Sequence, residues 1–165
     1  MQNPPVSLWV KEACLKVMKE DGAHWFPKET GGILVGYWSA DKKEVVVTNI
    51  ISAGPNAHHG RVIFKPDHEY QQQELDRILN FGAEPLFYLG DWHTHPNGKL
   101  KLSILDMITL WRIARNPEAY APTPVMLVLA RGNPWVFGGW YRNAAGHRLL
   151  DPFSSVSSIK VRRFD

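Results

Sequence analysis

Two histidines separated by one residue, His93 and His95, most constrain how this chain can fold, and Asp106 follows eleven residues after the second. On a β-strand, residues i and i+2 point to the same face, about 6.6 Å apart. Neutral imidazole and carboxylate are both good zinc ligands, and two His with one Asp leave a fourth tetrahedral position open for water. An open position is typical of a catalytic zinc site, so the pattern predicts zinc-activated water and hydrolysis.

The segment from Ser103 to Asp106 also has the pattern of an ordinary helix N-terminus, a Ser cap followed three residues later by an acid. The residues that follow form two apolar stripes at helical spacing, one of them on the side of Asp106. This predicts a largely buried helix with Asp106 pointing inward, where a carboxylate needs a partner. A metal ion would supply that partner, so we interpret His93, His95 and Asp106 as metal ligands.

A zinc hydrolase also needs a proton acceptor, and Glu29 is the best candidate because it precedes a strand whose glycines allow close backbone approach. An exposed glutamate before a strand is the alternative. Ser103 can donate a hydrogen bond to the oxygen of a tetrahedral intermediate. Asp91 shares the face of His93 and is expected to support a ligand or to anchor a loop.

Four other residues near these motifs receive structural interpretations. Trp92 and Thr94 alternate with the ligands and are predicted to pack in the core. His58 and His59 are adjacent, would face opposite ways on a strand, and are predicted to lie in a loop without binding metal.

Composition bounds the class of protein. At 165 residues and 44% hydrophobic residues, the chain is expected to form one domain, 1–165, with a packed core. A net charge of +3 is too weak to predict nucleic-acid binding. The one cysteine excludes an internal disulfide and a cysteine-based zinc site. No apolar run approaches a signal peptide or the ~18 residues of a membrane span, so a cytoplasmic protein with no membrane partner is expected.

Periodicity predicts a mixed α/β fold with one sheet between helices, in which the strand before His95 is central. Gly22 is expected to stop the first helix, residues 52–60 to form a loop, and the chain from Arg142 to be irregular or a final strand. The predicted strands are Ser7–Val10, Thr30–Trp38, Glu44–Ile51, Arg61–Lys65, Leu86–Thr94, Val125–Ala130 and Trp135–Tyr141, and the predicted helices are Lys11–Asp21, His68–Phe81 and Ser103–Asn116.

Together these motifs resemble the JAMM signature of the MPN+ metallopeptidases, in the family's order: Glu29 with the sequence GGILVG, then HTHP, six residues, Ser103, two residues and Asp106. The resemblance implies a cytidine-deaminase-like MPN fold, a curved mixed β-sheet flanked by helices. It implies that His93, His95 and Asp106 bind one Zn²⁺ per chain, that Glu29 is the general acid/base, and that Ser103 stabilises the oxyanion.

The resemblance further implies cleavage after the C-terminal tail of a ubiquitin-like protein, to deconjugate it or to process its precursor. The short form with a GDWHTHP strand is similar to bacterial JAB-domain proteins, which accompany ubiquitin-like conjugation systems including those of antiphage defence. The expected partners are the ubiquitin-like protein or its conjugate, bacterial activating and conjugating enzymes, and a defence-enzyme target.

Two alternatives stay open: a zinc peptidase that processes sulfur-carrier or amino-acid-loaded carrier proteins, and a non-catalytic MPN scaffold. A base deaminase is excluded because the paired zinc-binding cysteines are missing. For a ubiquitin-like tail, we expect addition to a sheet edge, with Thr30–Trp38 as one wall and the loop Asn97–Leu102, which contains Lys99 and Lys101, as the other.

Overall fold

The computed structural model describes residues 4–143 and 151–165. Residues 144–150, which belong to the C-terminal segment predicted to be irregular or a final strand, lie outside the described residues. The strands are β1 Ser7–Lys11, β2 Gly31–Trp38, β3 Glu44–Ile51, β4 His58–His59, β5 Phe64–Lys65, β6 Phe87–His95, β7 Val125–Ala130, β8 Val136–Arg142 and β9 Val156–Phe164. The helices are α1 Glu12–Trp25, α2 His68–Phe81 and α3 Ile104–Arg115, and a 3₁₀ turn covers Pro117–Ala119.

Seven of these strands form a closed barrel in the order β1-β3-β2-β6-β7-β8-β9. β1 is parallel to β3 and β9, and β6 is parallel to β7, whereas the other pairs are antiparallel. The predicted curved mixed sheet is therefore confirmed, and its curvature closes it into a barrel. β6 lies between β2 and β7, as expected for a central strand, and β4 pairs with β5 in a separate ladder.

The core divides according to which helix covers each face of the sheet. Along β7, Val125, Leu127 and Leu129 pack in the cluster that contains α1, while Met126 and Val128 pack with Leu110 of α3. This alternation follows from the period of two along a strand. A third cluster joins α2 to β2 and β3. None of the helices in the described part of the chain has the length and apolarity needed to cross a membrane.

The prediction that Gly22 stops the first helix is wrong, because α1 continues to Trp25. Gly22 is buried, and a Cβ there would lie 2.9 Å from the Trp135 ring and 3.1 Å from the Thr94 methyl group. The glycine therefore serves close packing of α1 on the barrel. At the other end of the helix, Lys11 belongs to β1.

The region between β3 and α2 also departs from the prediction. Of the expected strand Arg61–Lys65, only Phe64–Lys65 is regular, and it pairs with His58–His59, which were predicted as loop. The two histidines do face opposite ways, since His58 is exposed and His59 is buried. At the C-terminus, the final strand is realised as β9, which closes the barrel between β8 and β1.

The third helix is less buried than its two apolar stripes predicted. Leu110 is fully buried and packs against β7, but Ile104 and Leu105 are each 62% exposed at the start of α3. Asp106 nevertheless points inward as expected, with 9% of its surface exposed.

A β-bulge interrupts β6 a few residues before His93 and His95. The pairing of β2 with β6 skips Leu89, so that Leu34 lies opposite Gly90 and Val35 opposite Tyr88. Gly90 has φ of +142°, and a Cβ there would lie 1.9 Å from the carbonyl oxygen of Val125. Only glycine fits this position.

Candidate metal centre

His93 and His95 leave the end of β6 on the same side, and Asp106 approaches them from the first turn of α3. The two Nε2 atoms are 2.9 Å apart. The Asp106 carboxylate lies 3.1 Å from Nε2 of His93 through one oxygen and 3.5 Å from Nε2 of His95 through the other. The three residues that sequence spacing marked as ligands therefore converge on one point.

The geometry and chemistry of this cluster fit a zinc ion. Bonds of about 2.0–2.2 Å in a tetrahedron place neighbouring ligand atoms about 3.3–3.6 Å apart. The separations of 2.9–3.5 Å lie at or just below that range, so small side-chain movements suffice to admit an ion. Two imidazole nitrogens with one carboxylate form a donor set that zinc accepts readily.

The capping interpretation of Asp106 is confirmed, and its position beside the two histidines is compatible with the predicted ligand role. The Ser103 hydroxyl accepts a hydrogen bond of 3.2 Å from the Asp106 backbone N–H, and the Asp106 carboxylate accepts one from the Ser103 backbone N–H. This capping box fixes the first turn of α3. The same bonds hold the carboxylate against the two histidines, so the cap orients the proposed ligand.

The pKa values of Asp106 and His95 determine how protons compete with a cation for the cluster. Burial opposes ionisation of Asp106, but hydrogen bonds from His93 and His95 outweigh it and hold the pKa of Asp106 far below its usual range. Burial also lowers the pKa of His95, yet the hydrogen bond and charge of Asp106 raise it above the ordinary histidine value. Protons therefore compete with a metal for His95 increasingly as the pH falls.

Glu29 reaches the cluster through strand register. Gly31 lies opposite His93 in the β2–β6 pair, and Thr30 exchanges hydrogen bonds with Thr94, so Glu29 comes level with His95. Burial raises the pKa of Glu29, the Asp106 carboxylate acts in the same direction, and the two histidines oppose them. A raised pKa makes this carboxylate a stronger proton acceptor.

A groove of about 1810 Å³ contains the cluster together with Glu29 and Ser103. Residues 61–66 and residues of α2 and α3 also line it. The loop expected as a wall contributes Gly98 and Lys101. The segment Thr30–Trp38, expected as the other wall, contributes Gly32 and Ile33, but both edges of β2 are paired, with β3 and β6, so a tail cannot add there.

Asp91 lies in the same groove and accepts a hydrogen bond of 2.8 Å from the Tyr88 hydroxyl. Burial raises the pKa of Asp91, while Tyr88 and His93 oppose that rise. Burial and the Asp91 charge together raise the pKa of Tyr88 well above its ordinary value. The described hydrogen bond of Asp91 thus joins it to a residue of its own strand, not to a loop.

Sequence reasoning missed the residues that hold the backbone around Glu29. Thr94 and Trp92 are buried, as predicted, but the Thr94 hydroxyl also accepts a hydrogen bond of 3.0 Å from the Thr30 N–H. Asp21 of α1 accepts one of 2.8 Å from the Thr30 hydroxyl. His59 contacts the Glu29 carbonyl oxygen at 3.0 Å. A buried threonine between two ligands was the available signal for Thr94, whereas His59 gave none.

Comparison with known proteins places these residues in context. Residues 11–137 match the family described as prokaryotic homologs of the JAB domain. A probable metalloprotease, y4qB, from Sinorhizobium fredii is 38% identical over 148 residues, 88% of this chain and 90% of the relative. The solution structure of protein DSY2949 from Desulfitobacterium hafniense is 16% identical, with a TM-score of 0.68 over 96% of this chain and 93% of that one, and shares its fold.

Two further relatives bear the name CD-NTase/cGAS isopeptidase. The one from Enterobacter hormaechei is 31% identical over 106 residues, which are 64% of this chain and 57% of the relative. The one from Escherichia coli is 25% identical over 130 residues, 77% of this chain and 78% of the relative.

Proposed function

The chain belongs to the prokaryotic JAB family, and from that premise we propose that it is a zinc-dependent isopeptidase or peptidase that cleaves after the C-terminal tail of a ubiquitin-like protein. The metalloprotease and isopeptidase names of its relatives support a peptidase-type enzyme. The observation that carries the proposal is the convergence of His93, His95 and Asp106 in a groove that Glu29 also lines.

In the proposed reaction, His93, His95 and Asp106 would hold one zinc ion per chain. The bound ion would act as a Lewis acid and lower the pKa of a water molecule toward neutrality. Glu29 accepts a proton from the water as a C–O bond forms, then gives it to the amine nitrogen as the C–N bond breaks. The Ser103 oxygen accepts the Asp106 N–H, which leaves its hydroxyl hydrogen to stabilise charge on the substrate carbonyl oxygen.

The ladder of β4 and β5 supports a revised mode of tail binding. Every barrel strand pairs on both sides, whereas the two-residue ladder pairs β4 with β5 and places Phe64 and Lys65 in the groove wall. An extended tail can add to such an edge through main-chain hydrogen bonds. Arg61 and Lys101 line the same groove and favour a partner that carries acidic groups near its tail.

The names of two relatives support a more specific context. We propose that the conjugate is a ubiquitin-like modification of a CD-NTase/cGAS-type defence enzyme in the cytoplasm, within a pathway that also contains activating and conjugating enzymes. In that pathway this chain would reverse conjugation or mature the modifier.

Incubation of the purified protein with a ubiquitin-like protein encoded beside it tests this function. The substrate carries either a C-terminal extension or an isopeptide-linked target, and mass spectrometry identifies the new C-terminus. We expect cleavage directly after the tail, loss of cleavage when a chelator removes the metal, and recovery when zinc is restored.

A matched substrate whose last two tail residues are replaced by bulky ones provides the control, and we expect it to resist cleavage. Equal cleavage of both substrates and of unrelated peptides would indicate a general peptidase. Cleavage only of a sulfur-carrier precursor would favour carrier processing. Absence of cleavage with a full complement of zinc would identify a scaffold.

A further inference from the structure

The backbone of Glu29 is held on both sides by one short segment of the chain. Its N–H donates a hydrogen bond of 2.7 Å to the carbonyl oxygen of Gly60. Its carbonyl oxygen lies 3.0 Å from Nδ1 of His59. Since a carbonyl oxygen only accepts hydrogen bonds, Nδ1 of His59 carries the hydrogen. The two partners of the Glu29 backbone are thus adjacent in sequence: His59 is the last residue of β4, and Gly60 follows it.

The His59 ring is itself fixed in place. It stacks on Trp25, with ring centroids 3.5 Å apart and planes 7° from parallel, and Phe64 lies 5.6 Å away on the paired strand. Only 9% of the His59 surface is exposed. A buried ring with an aromatic stack and a paired strand holds its Nδ1 atom at a defined position.

Glu29 needs this support because it precedes β2, which begins at Gly31. Its backbone therefore lacks the regular strand pairing that orients His93 and His95. The displacement of a catalytic group by about 1 Å can lower a rate by about 100-fold. The partners of the Glu29 backbone consequently bear on where its carboxylate lies.

We propose that His59 is a positioning residue for Glu29, acting through the hydrogen bond from Nδ1 to the Glu29 carbonyl oxygen. The inference rests on the proposed function, because it takes Glu29 to be the general base. His59 itself is placed neither on the metal nor on the substrate.

Two substitutions separate the hydrogen bond from the stacking. His59→Phe keeps a ring against Trp25 but removes the donor, whereas the amide nitrogen of His59→Asn can take the place of Nδ1. We expect His59→Phe to lower kcat about tenfold with KM within about twofold, and His59→Asn to recover most of kcat. Lys43→Ala, at an exposed position between β2 and β3, is the control and should leave both constants unchanged.

A double-mutant cycle and an activity-free measurement complete the test. In a Glu29→Ala background, His59→Phe should lower the residual rate no further, since the group that it positions is absent. The chemical shift of the Glu29 carbonyl carbon, followed by NMR in the metal-free protein, should change in His59→Phe and stay near the wild-type value in His59→Asn, because this carbonyl accepts the proposed hydrogen bond. His59→Ala replaces the Phe variant if that variant does not fold.

An unchanged Glu29 carbonyl carbon shift in His59→Phe would overturn the proposal, as would an equal loss of kcat in the presence and absence of the Glu29 carboxylate. If the wild-type protein cleaves no substrate, the proposed function fails, and the carbonyl shift still decides whether His59 holds Glu29.

Discussion

The candidate metal ligands and the proposed base share one groove but are positioned by different parts of the chain. His93 and His95 lie on a single strand, and Asp106 is fixed by a capping box in the next helix. Glu29 is instead held by His59 and, through Thr30, by Thr94, contacts that span 30 and 64 residues. The ligands thus depend on local structure, and the base depends on tertiary contacts.

This difference predicts how each part responds to substitution. Removal of a ligand should abolish metal binding outright, because each of the few donors is needed to hold the ion. Changes around the base should leave the metal in place and alter only the rate or the stability. The predictions below test this separation, from the largest expected effect to the smallest.

His95→Ala should abolish metal binding and reduce hydrolysis to background, because a site that leaves one position for water cannot spare a protein ligand. Metal analysis of the purified variant checks this. Chelation should lower the Tm of the wild-type protein but not that of the variant, since only the former gains stability from the bound ion. His24→Ala, at the exposed end of α1, should keep its metal. Stoichiometric zinc in His95→Ala would show that the ligand set is wrong.

Glu29→Ala should retain zinc and the fold but lose about 10²–10⁴-fold in kcat, the usual effect of removing a general base. Steady-state kinetics with metal analysis on the same sample checks this. Glu29→Gln, which preserves shape but not basicity, should be equally slow, and Glu20→Ala, an exposed glutamate on α1, should be unaffected. Near-normal turnover in Glu29→Gln would place the base elsewhere and remove the contrast drawn above.

Ser103→Ala should lower kcat by about 10²–10³-fold if its hydroxyl donates to the substrate oxygen. The residue also caps α3, and loss of a cap costs about 1 kcal/mol of unfolding free energy. Urea unfolding of the same variant separates the two effects, and Ser103→Thr should preserve both. A loss of stability without a loss of rate would mean that the only role of Ser103 is to cap α3 and to hold Asp106 in place.

The parts of this molecule that follow local sequence rules could be predicted. The period of two on β6 and the capping pattern at Ser103 predicted that His93, His95 and Asp106 come together, and β7 was predicted with its observed bounds. Gly22 was misassigned because a glycine that permits close packing and one that ends a helix look alike in sequence. The pairing of both edges of β2 could not be predicted, because strand pairing is a long-range property.

The support around Glu29 could not be predicted for the same reason. Nothing in the spacing of His58 and His59 indicates that one of them stacks on Trp25 and reaches the Glu29 carbonyl oxygen. Strand register brings Thr94 opposite Thr30, and that register becomes known only when β2 and β6 are paired.

Thr94→Val offers the finest test of whether the ligand strand and the base segment are coupled. Valine matches threonine in shape but leaves the buried Thr30 N–H without its hydroxyl acceptor, which lies 3.0 Å away in the native chain. An unsatisfied buried donor costs about 1–3 kcal/mol, so the free energy of unfolding in urea should fall by that amount. Zinc content should not change, because His93 and His95 keep their places on β6. Thr94→Ser retains the hydroxyl and should recover most of the loss. Equal destabilisation of both variants would assign the effect to packing, since Thr94→Ser lacks only the methyl group. Loss of zinc in Thr94→Val would show that the Glu29 segment and the histidine strand are more strongly coupled than their different supports imply.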